Sequence, residues 1–230
     1  MIIHTMTEEQ IRKEIFKDAI NVKKAINDFT KSFVKSCKNR LPRMFPTLKF
    51  YTCKTKLGND IMILLDAPDY KSRNKPMYGV YFFTKTSNGS VRVYQPLAYD
   101  DITADINVFT SHFISRYNTR LGLNLTNVYD IVQYFISKTT GFIGEVDSNG
   151  AFYGTIKSGM VFGYRKDGFH YHTTFVNNEM LFIDQSEYVG EIRKMGGFFD
   201  DIRDSREALA KYYNKEFAIP ERISQILQPK

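Results

Sequence analysis

At 230 residues, with a formal net charge of +7 and a pI near 9.2, the chain has length for one large domain or two small ones and is moderately basic. An apolar content of 43% and an aromatic content of 15% exclude a largely disordered chain, and the charge favours an anionic partner such as RNA or DNA. No apolar run approaches the ~18 residues of a membrane span, and Met1-Ile2-Ile3-His4 does not open a signal peptide, so the expectation is a cytoplasmic protein with no membrane partner.

Residues 7–41 read as one long helix. Ile11, Ile15, Ala19, Val22, Ile26, Phe29, Phe33, Cys37 and Leu41 make its apolar stripe. Thr7 and Gln10 have the spacing of a capping box, and Pro42 ends the run. The opposite face carries Lys13, Lys17, Lys24, Lys31, Lys35 and Lys38, a solvated face or a phosphate contact. Strands are predicted at residues 49–56, 60–66, 77–86 and 91–95, rich in Tyr, Phe, Val and Ile. A polar loop with three cations, residues 67–76, joins the second to the third. Cys37 and Cys53 lack zinc spacing and are expected to be free, mostly buried thiols.

Helical signals return after Asp105. One helix is expected over residues 109–121, stopped by Gly122, and a second from Thr126 as N-cap to about residue 137. Residues 142–176 read as a four-strand antiparallel meander, in which Asp167-Gly168 is the strongest hairpin signal. Further helices are expected near residues 178–183, 186–194, 201–217 and 220–227. Asp100-Asp101 and Asp200-Asp201 read as acids near helix starts. The fold class is therefore α+β: a long N-terminal helix, an antiparallel β-rich segment, two helices followed by the meander, and a helical C-terminus. A division into 1–105 and 106–230 and a single compact unit both fit this order.

The chemistry concentrates in two elements. Residues three or four apart share a helix face, so His112, Arg116 and Arg120 form one stripe. Side chains alternate along a strand, so His170, His172 and Thr174 are expected on one face. Metal-independent cleavage of an RNA phosphodiester needs a base, an acid and cations for the phosphorane. His112, His170 and His172 are the candidate catalytic residues. Arg116 and Arg120 are candidate phosphate binders, with Thr173, Thr174 or Tyr164 as hydroxyl donors. Each of these residues also has an ordinary structural use, and His112, His170 and His172 could share a metal. The GxxxxGK[ST], GxGxxG and GxSxG motifs and Cys/His zinc spacings are absent, so no cofactor is expected.

A helix carrying His112-Phe113-Ile114-Ser115-Arg116-Tyr117-Asn118-Thr119-Arg120, then a second helix and a meander ending in a Thr-containing strand, resembles the small metal-independent ribonucleases grouped as the barnase, EndoU, colicin and RelE-like fold. The resemblance covers residues 109–177. It implies a metal-independent endoribonuclease acting on RNA, with the His-x-x-x-Arg-x-x-x-Arg helix as its centre and a strand hydroxyl from Thr173 or Thr174. The segments outside that span suit a phage or mobile-element protein that keeps only the fold. Such a protein would be a non-catalytic interaction protein binding nucleic acid or a host protein. The residues do not specify an oligomeric state.

Overall fold

The capping box at Thr7 and Gln10 is present in the computed structural model of the chain, which describes residues 1–87, 89–139 and 143–181. Thr7 Oγ1 accepts from Gln10 N at 3.3 Å, and Gln10 Oε1 accepts from Thr7 N at 2.9 Å. The helix that follows is shorter than its periodicity predicts: α1 (Glu8–Lys17) stops at Asp18, and α2 (Ala19–Cys37) starts directly after it. Asp18 leaves helical geometry at ψ −1° and is wholly buried. Its carboxylate accepts from Asn21 Nδ2 at 2.7 Å, Thr55 Oγ1 at 2.5 Å and Asn59 Nδ2 at 2.8 Å. Asn59 Oδ1 in turn accepts from Ile2 N at 2.7 Å. The sequence stripe could not show the break, because the polar residue responsible is held by partners far along the chain. Asp18→Ala leaves buried donors on Thr55 and Asn59 without an acceptor, so a loss of about 2–3 kcal/mol is expected. A lowered urea midpoint at unchanged slope reads it out.

The strands β1 (Thr47–Lys54), β2 (Asp60–Ala67), β3 (Met77–Lys85) and β4 (Val91–Pro96) lie close to their predicted places. A fifth strand, β5 (Ile106–Phe109), occupies the point where a helix is expected to begin. Thr110 then caps α3 (Ser111–Arg120), accepting from Phe113 N at 3.2 Å. Asp100-Asp101 do not precede a helix but belong to the turn before β5, where Asp101 accepts from Thr103 N and Oγ1. For α4 (Val128–Lys138) the cap is Asn127 rather than Thr126. The meander is β6 (Ile143–Val146), β7 (Ala151–Ile156), β8 (Gly159–Lys166) and β9 (Phe169–Asn177). Asp167 and Gly168 both take positive φ, 51° and 76°, as a two-residue hairpin turn of this twist requires. A 3-10 turn, Asn178–Met180, stands where a helix over 178–183 is expected. The helices predicted from residue 186 onward, and Asp200-Asp201, lie outside the described residues.

Among the described residues the strands form one nine-stranded sheet, β1-β2-β3-β4-β5-β9-β8-β7-β6, antiparallel except for the β5–β9 pair. The sheet runs unbroken through residue 105, because β4 pairs with β5. Helices α1 and α2 cover one face through Ile11, Ile15, Val22, Ile26 and Phe33, packed on Ile63, Phe82, Val108 and Tyr171. Helices α3 and α4 cover the other through Phe113, Tyr117, Val132 and Phe135, packed on Met62, Phe109, Phe152 and Phe175. Burial on both faces explains the near-continuous apolar runs of β2 and β3.

The registers decide which loops meet. Thr47 faces Ala67, Asp66 faces Met77, Pro96 faces Ile106, and Ile106 faces Phe169. Arg40 donates to Thr47 Oγ1 at 3.0 Å, which ties the end of α2 to the same place. The end of α2, the 68–76 loop, the 97–105 loop and the β8–β9 turn thus gather at one end of the sheet. Arg12 of α1 closes that end, donating to the carbonyls of Ile102, Ala104 and Asp167, with its guanidinium 4.9 Å from the Phe169 ring centre.

Candidate functional site

The residues singled out from the sequence do not converge. His112 and Arg116 lie exposed on α3 and make no hydrogen bond or ion pair among the described residues. Arg120 is half-buried and donates to the carbonyl of Phe175. Because Phe175 lies five positions beyond His170 on β9, the α3 stripe runs away from His170. His172 is 1% exposed, with its ring stacked on Phe109 at 5.0 Å and edge-on to Phe152 at 5.3 Å. Burial, then the charge of His170, pushes its imidazole down to about 3. It stays neutral and donates from Nε2 to Asn107 Oδ1 at 3.2 Å.

Thr174 does not share the face of His170 and His172. The ladder pairs Phe162 with Thr174 but Gly163 with His172, which leaves Thr173 as the extra residue of a bulge. Everything after the bulge changes sides, so Phe175 joins the face of His172 and Thr174 takes the opposite one. Only glycine fits at position 163, where a Cβ would stand 1.7 Å from Tyr171 O. The Thr173 hydroxyl is engaged by Phe162 O at 3.0 Å. Tyr164 stacks on Tyr171 at 4.7 Å and 15°, on the side of the sheet that faces α1. The Tyr171 hydroxyl donates to Glu8 Oε1 at 2.8 Å. Burial and that bond raise the Tyr171 phenol well above its ordinary value.

What the fold does assemble is a polar row across four strands on the α3–α4 side. Gln95 Nε2 donates to Tyr81 Oη at 3.3 Å, Asn107 Nδ2 donates to Gln95 Oε1 at 3.3 Å, and Asn107 Oδ1 receives His172. Next to it, at the loop end, His170 Nε2 donates to Asp105 Oδ2 at 3.0 Å, and Arg165 Nη2 pairs with the same oxygen at 3.1 Å. The bond to Asp105 fixes the His170 tautomer and leaves Nδ1 as a proton acceptor. The register of the Asp167-Gly168 hairpin, which sets Arg165 opposite His170, was readable from the two-residue turn. Asp105 and Asn107 were not, because they reach β9 through a parallel pairing with no local signal.

The loop end divides by charge. On the α2 side, Lys35, Lys38, Arg40 and Arg43 follow one another with no Asp or Glu across residues 29–47. Among the described residues, the only acids beside them are Asp66 at the end of β2 and Asp69 in the 68–76 loop. Lys35 and Lys38 from the end of α2, with Lys71 and Lys75 from the 68–76 loop, are exposed and make no side-chain hydrogen bond or salt bridge among the described residues. Against burial, hydrogen bonds from Ser72 and then the charge of Lys71 lower the Asp69 carboxyl. Arg73 lies 3.7 Å over the Tyr70 ring. On the other side stand Asp100, Asp101, Asp105 and Asp167, with Arg12 and Arg165 already engaged. Apolar side chains surface here too: Leu41, Met44, Met77, Tyr78, Leu97 and Ile102 are all exposed. Helical periodicity places Lys35 and Lys38 on one helix face but carries no sign that folding brings the loop cations beside them.

Cys37 is buried and Cys53 half-buried, both free, and burial followed by the charge of Asp18 raises the Cys53 thiol. No three His, Cys, Asp or Glu among the described residues are placed to hold a metal ion, and His112 does not join His170 and His172. No described helix is long and apolar enough to cross a membrane. Comparison with protein-family models, with curated proteins and with solved structures finds no match.

Proposed function

We propose that this protein binds nucleic acid, RNA in the first place, along the basic half of the loop end, and that it acts as a binding protein. The observation that carries this reading is the meeting of Lys35, Lys38, Arg40 and Arg43, at the end of α2 and just beyond it, with Lys71, Arg73 and Lys75 of the 68–76 loop. Phosphates bind such a surface by releasing counterions, so affinity falls steeply with salt. Titrating labelled single-stranded RNA of about twelve nucleotides, a length within the usual site range, against rising salt tests it. A linear loss of log affinity with log salt at a slope of roughly −3 or steeper, four or more phosphates at about −0.7 each, is expected. No binding at low salt removes the reading and leaves a protein partner.

Metal-independent RNA cleavage is the second reading, favoured by one observation: Asp105 orients the half-buried His170 and leaves its Nδ1 to accept a proton. The acids around it and the engagement of Arg165 weigh against a phosphate at that point. Incubating labelled RNA with a chelator decides between the two. Binding without cut ends supports the first. Cutting that falls about 100-fold in His170→Ala, the scale of lost acid–base help, supports the second. In that case His112→Ala and Arg116→Ala are expected to leave cutting unchanged.

A further inference from the structure

We propose that the basic end takes nucleic acid as a single strand, with an unpaired base stacked on Tyr78; this rests on the binding reading above and names its substrate class. Tyr78 is the second residue of β3 and is 52% exposed, whereas Val80 and Phe82, on the same side of that strand, are buried in the core. The ring is held in place. Tyr99, itself 7% exposed, stands behind it at 6.1 Å and 59°. Burial, the neighbouring Tyr78 and a hydrogen bond with Tyr78 push the Tyr99 phenol up to about 12, so Tyr99 stays protonated. A braced aromatic face costs little further side-chain entropy on binding.

Charge on the loop before this strand supplies the rest. Lys71, Arg73 and Lys75 lie on the loop that runs directly into Tyr78. Lys75 is three residues ahead, at most ~10 Å along an extended chain. A backbone phosphate on Lys75 thus brings an adjacent base within reach of the ring. Duplex bases are stacked on one another and cannot use such a face, whereas unpaired bases stack on aromatic side chains whatever their sequence. An anionic lipid surface would also meet the cations, but it would press on Asp100 and Asp101, exposed beside Tyr99.

The test compares a fluorescent uridine oligomer of about twelve nucleotides, within the usual single-strand site range, with an RNA duplex of equal length and with phosphatidylserine vesicles. Wild-type protein, Tyr78→Ala, Tyr78→Leu and Tyr78→Phe are titrated at one salt concentration and again across salt. Tyr78→Ala and Tyr78→Leu are expected to weaken the oligomer at least ~5-fold, the lower bound for one lost base stack, with duplex affinity and salt slope unchanged and Tyr78→Phe equal to wild type. Leucine keeps the apolar bulk, so its loss reports the ring. Oligomer binding indifferent to all three substitutions overturns this proposal and leaves the binding reading standing. An equal loss on duplex does the same, whereas vesicle binding that depends on Tyr78 and excludes RNA overturns the proposal together with the binding reading. Wild-type protein that binds no nucleic acid overturns both.

Discussion

Acidifying the protein from about pH 6.5 to pH 4 is expected to remove on the order of 3 kcal/mol of stability, at 1.36 kcal/mol per unit of differential protonation. His172 is the cause. Unfolded, its imidazole titrates at the ordinary value of 6.5; folded, burial and then His170 push it down to about 3. Between those values the unfolded chain binds a proton that the folded chain does not, so stability rises with pH. It is fully present above 6.5 and is lost as pH falls toward 3. The upper part of that window lies above the range in which most carboxylates protonate. Urea midpoints measured across it, for wild type and His172→Phe, separate the two sources. Phenylalanine suits the stacked site between Phe109 and Phe152 and carries no titrating group, at the expense of about 1 kcal/mol for the Asn107 bond. The slope above the carboxylate range is expected to flatten in the variant. Parallel slopes would show that His172 titrates normally and that the core reading of this residue is wrong.

The same residue shows where a sequence reading reaches its limit. Alternation along β9 is a local rule, and up to His172 it holds: Phe169 and Tyr171 face α1, and His172 faces α3. It then fails, because Gly163 on the neighbouring strand lets Tyr171 O approach where any Cβ would collide, and the ladder takes in one extra residue. Asp18 makes the same point in the helical region. Hydrophobic spacing carries straight through it, and only the distant Thr55 and Asn59 explain the break.

What was legible was local and strongly patterned. The first four strands, the Thr7 capping box, the Asp167-Gly168 hairpin and the α+β class follow from alternation, capping and turn chemistry that act within a few residues. β5 was missed because it is four residues long and lies before a helix start. The histidines drew attention by their concentration, but concentration in sequence did not become convergence in space. His112 points to solvent, His172 into aromatic core, and His170 to Asp105. The basic half of the loop end had the opposite fate. Its cations are spread from Lys35 to Lys75, and the β1–β2 and β2–β3 registers bring them together.

Removing the charge of that basic half is the second large effect expected. Lys35, Lys38, Lys71 and Lys75 are exposed, so replacing all four by alanine should leave stability within roughly 0.5 kcal/mol per site. Affinity for single-stranded RNA at about 0.1 M salt should fall ~100-fold or more, and the salt slope should shrink by about 3, four phosphate contacts at ~0.7 each. A matched variant carries the same charge change toward the opposite end of the sheet: Lys17, Lys23, Lys24 and Lys56, exposed at the end of α1, the first turns of α2 and the β1–β2 turn. Beyond a Debye length these contribute only a screened background, so a loss below ~5-fold and an unchanged slope are expected. Titrating these two quadruple variants side by side across salt is the most direct measurement of where, and whether, this protein holds RNA. A selective collapse of affinity and slope in the first variant is the predicted result, and equal behaviour of the two would contradict the assignment of the loop end.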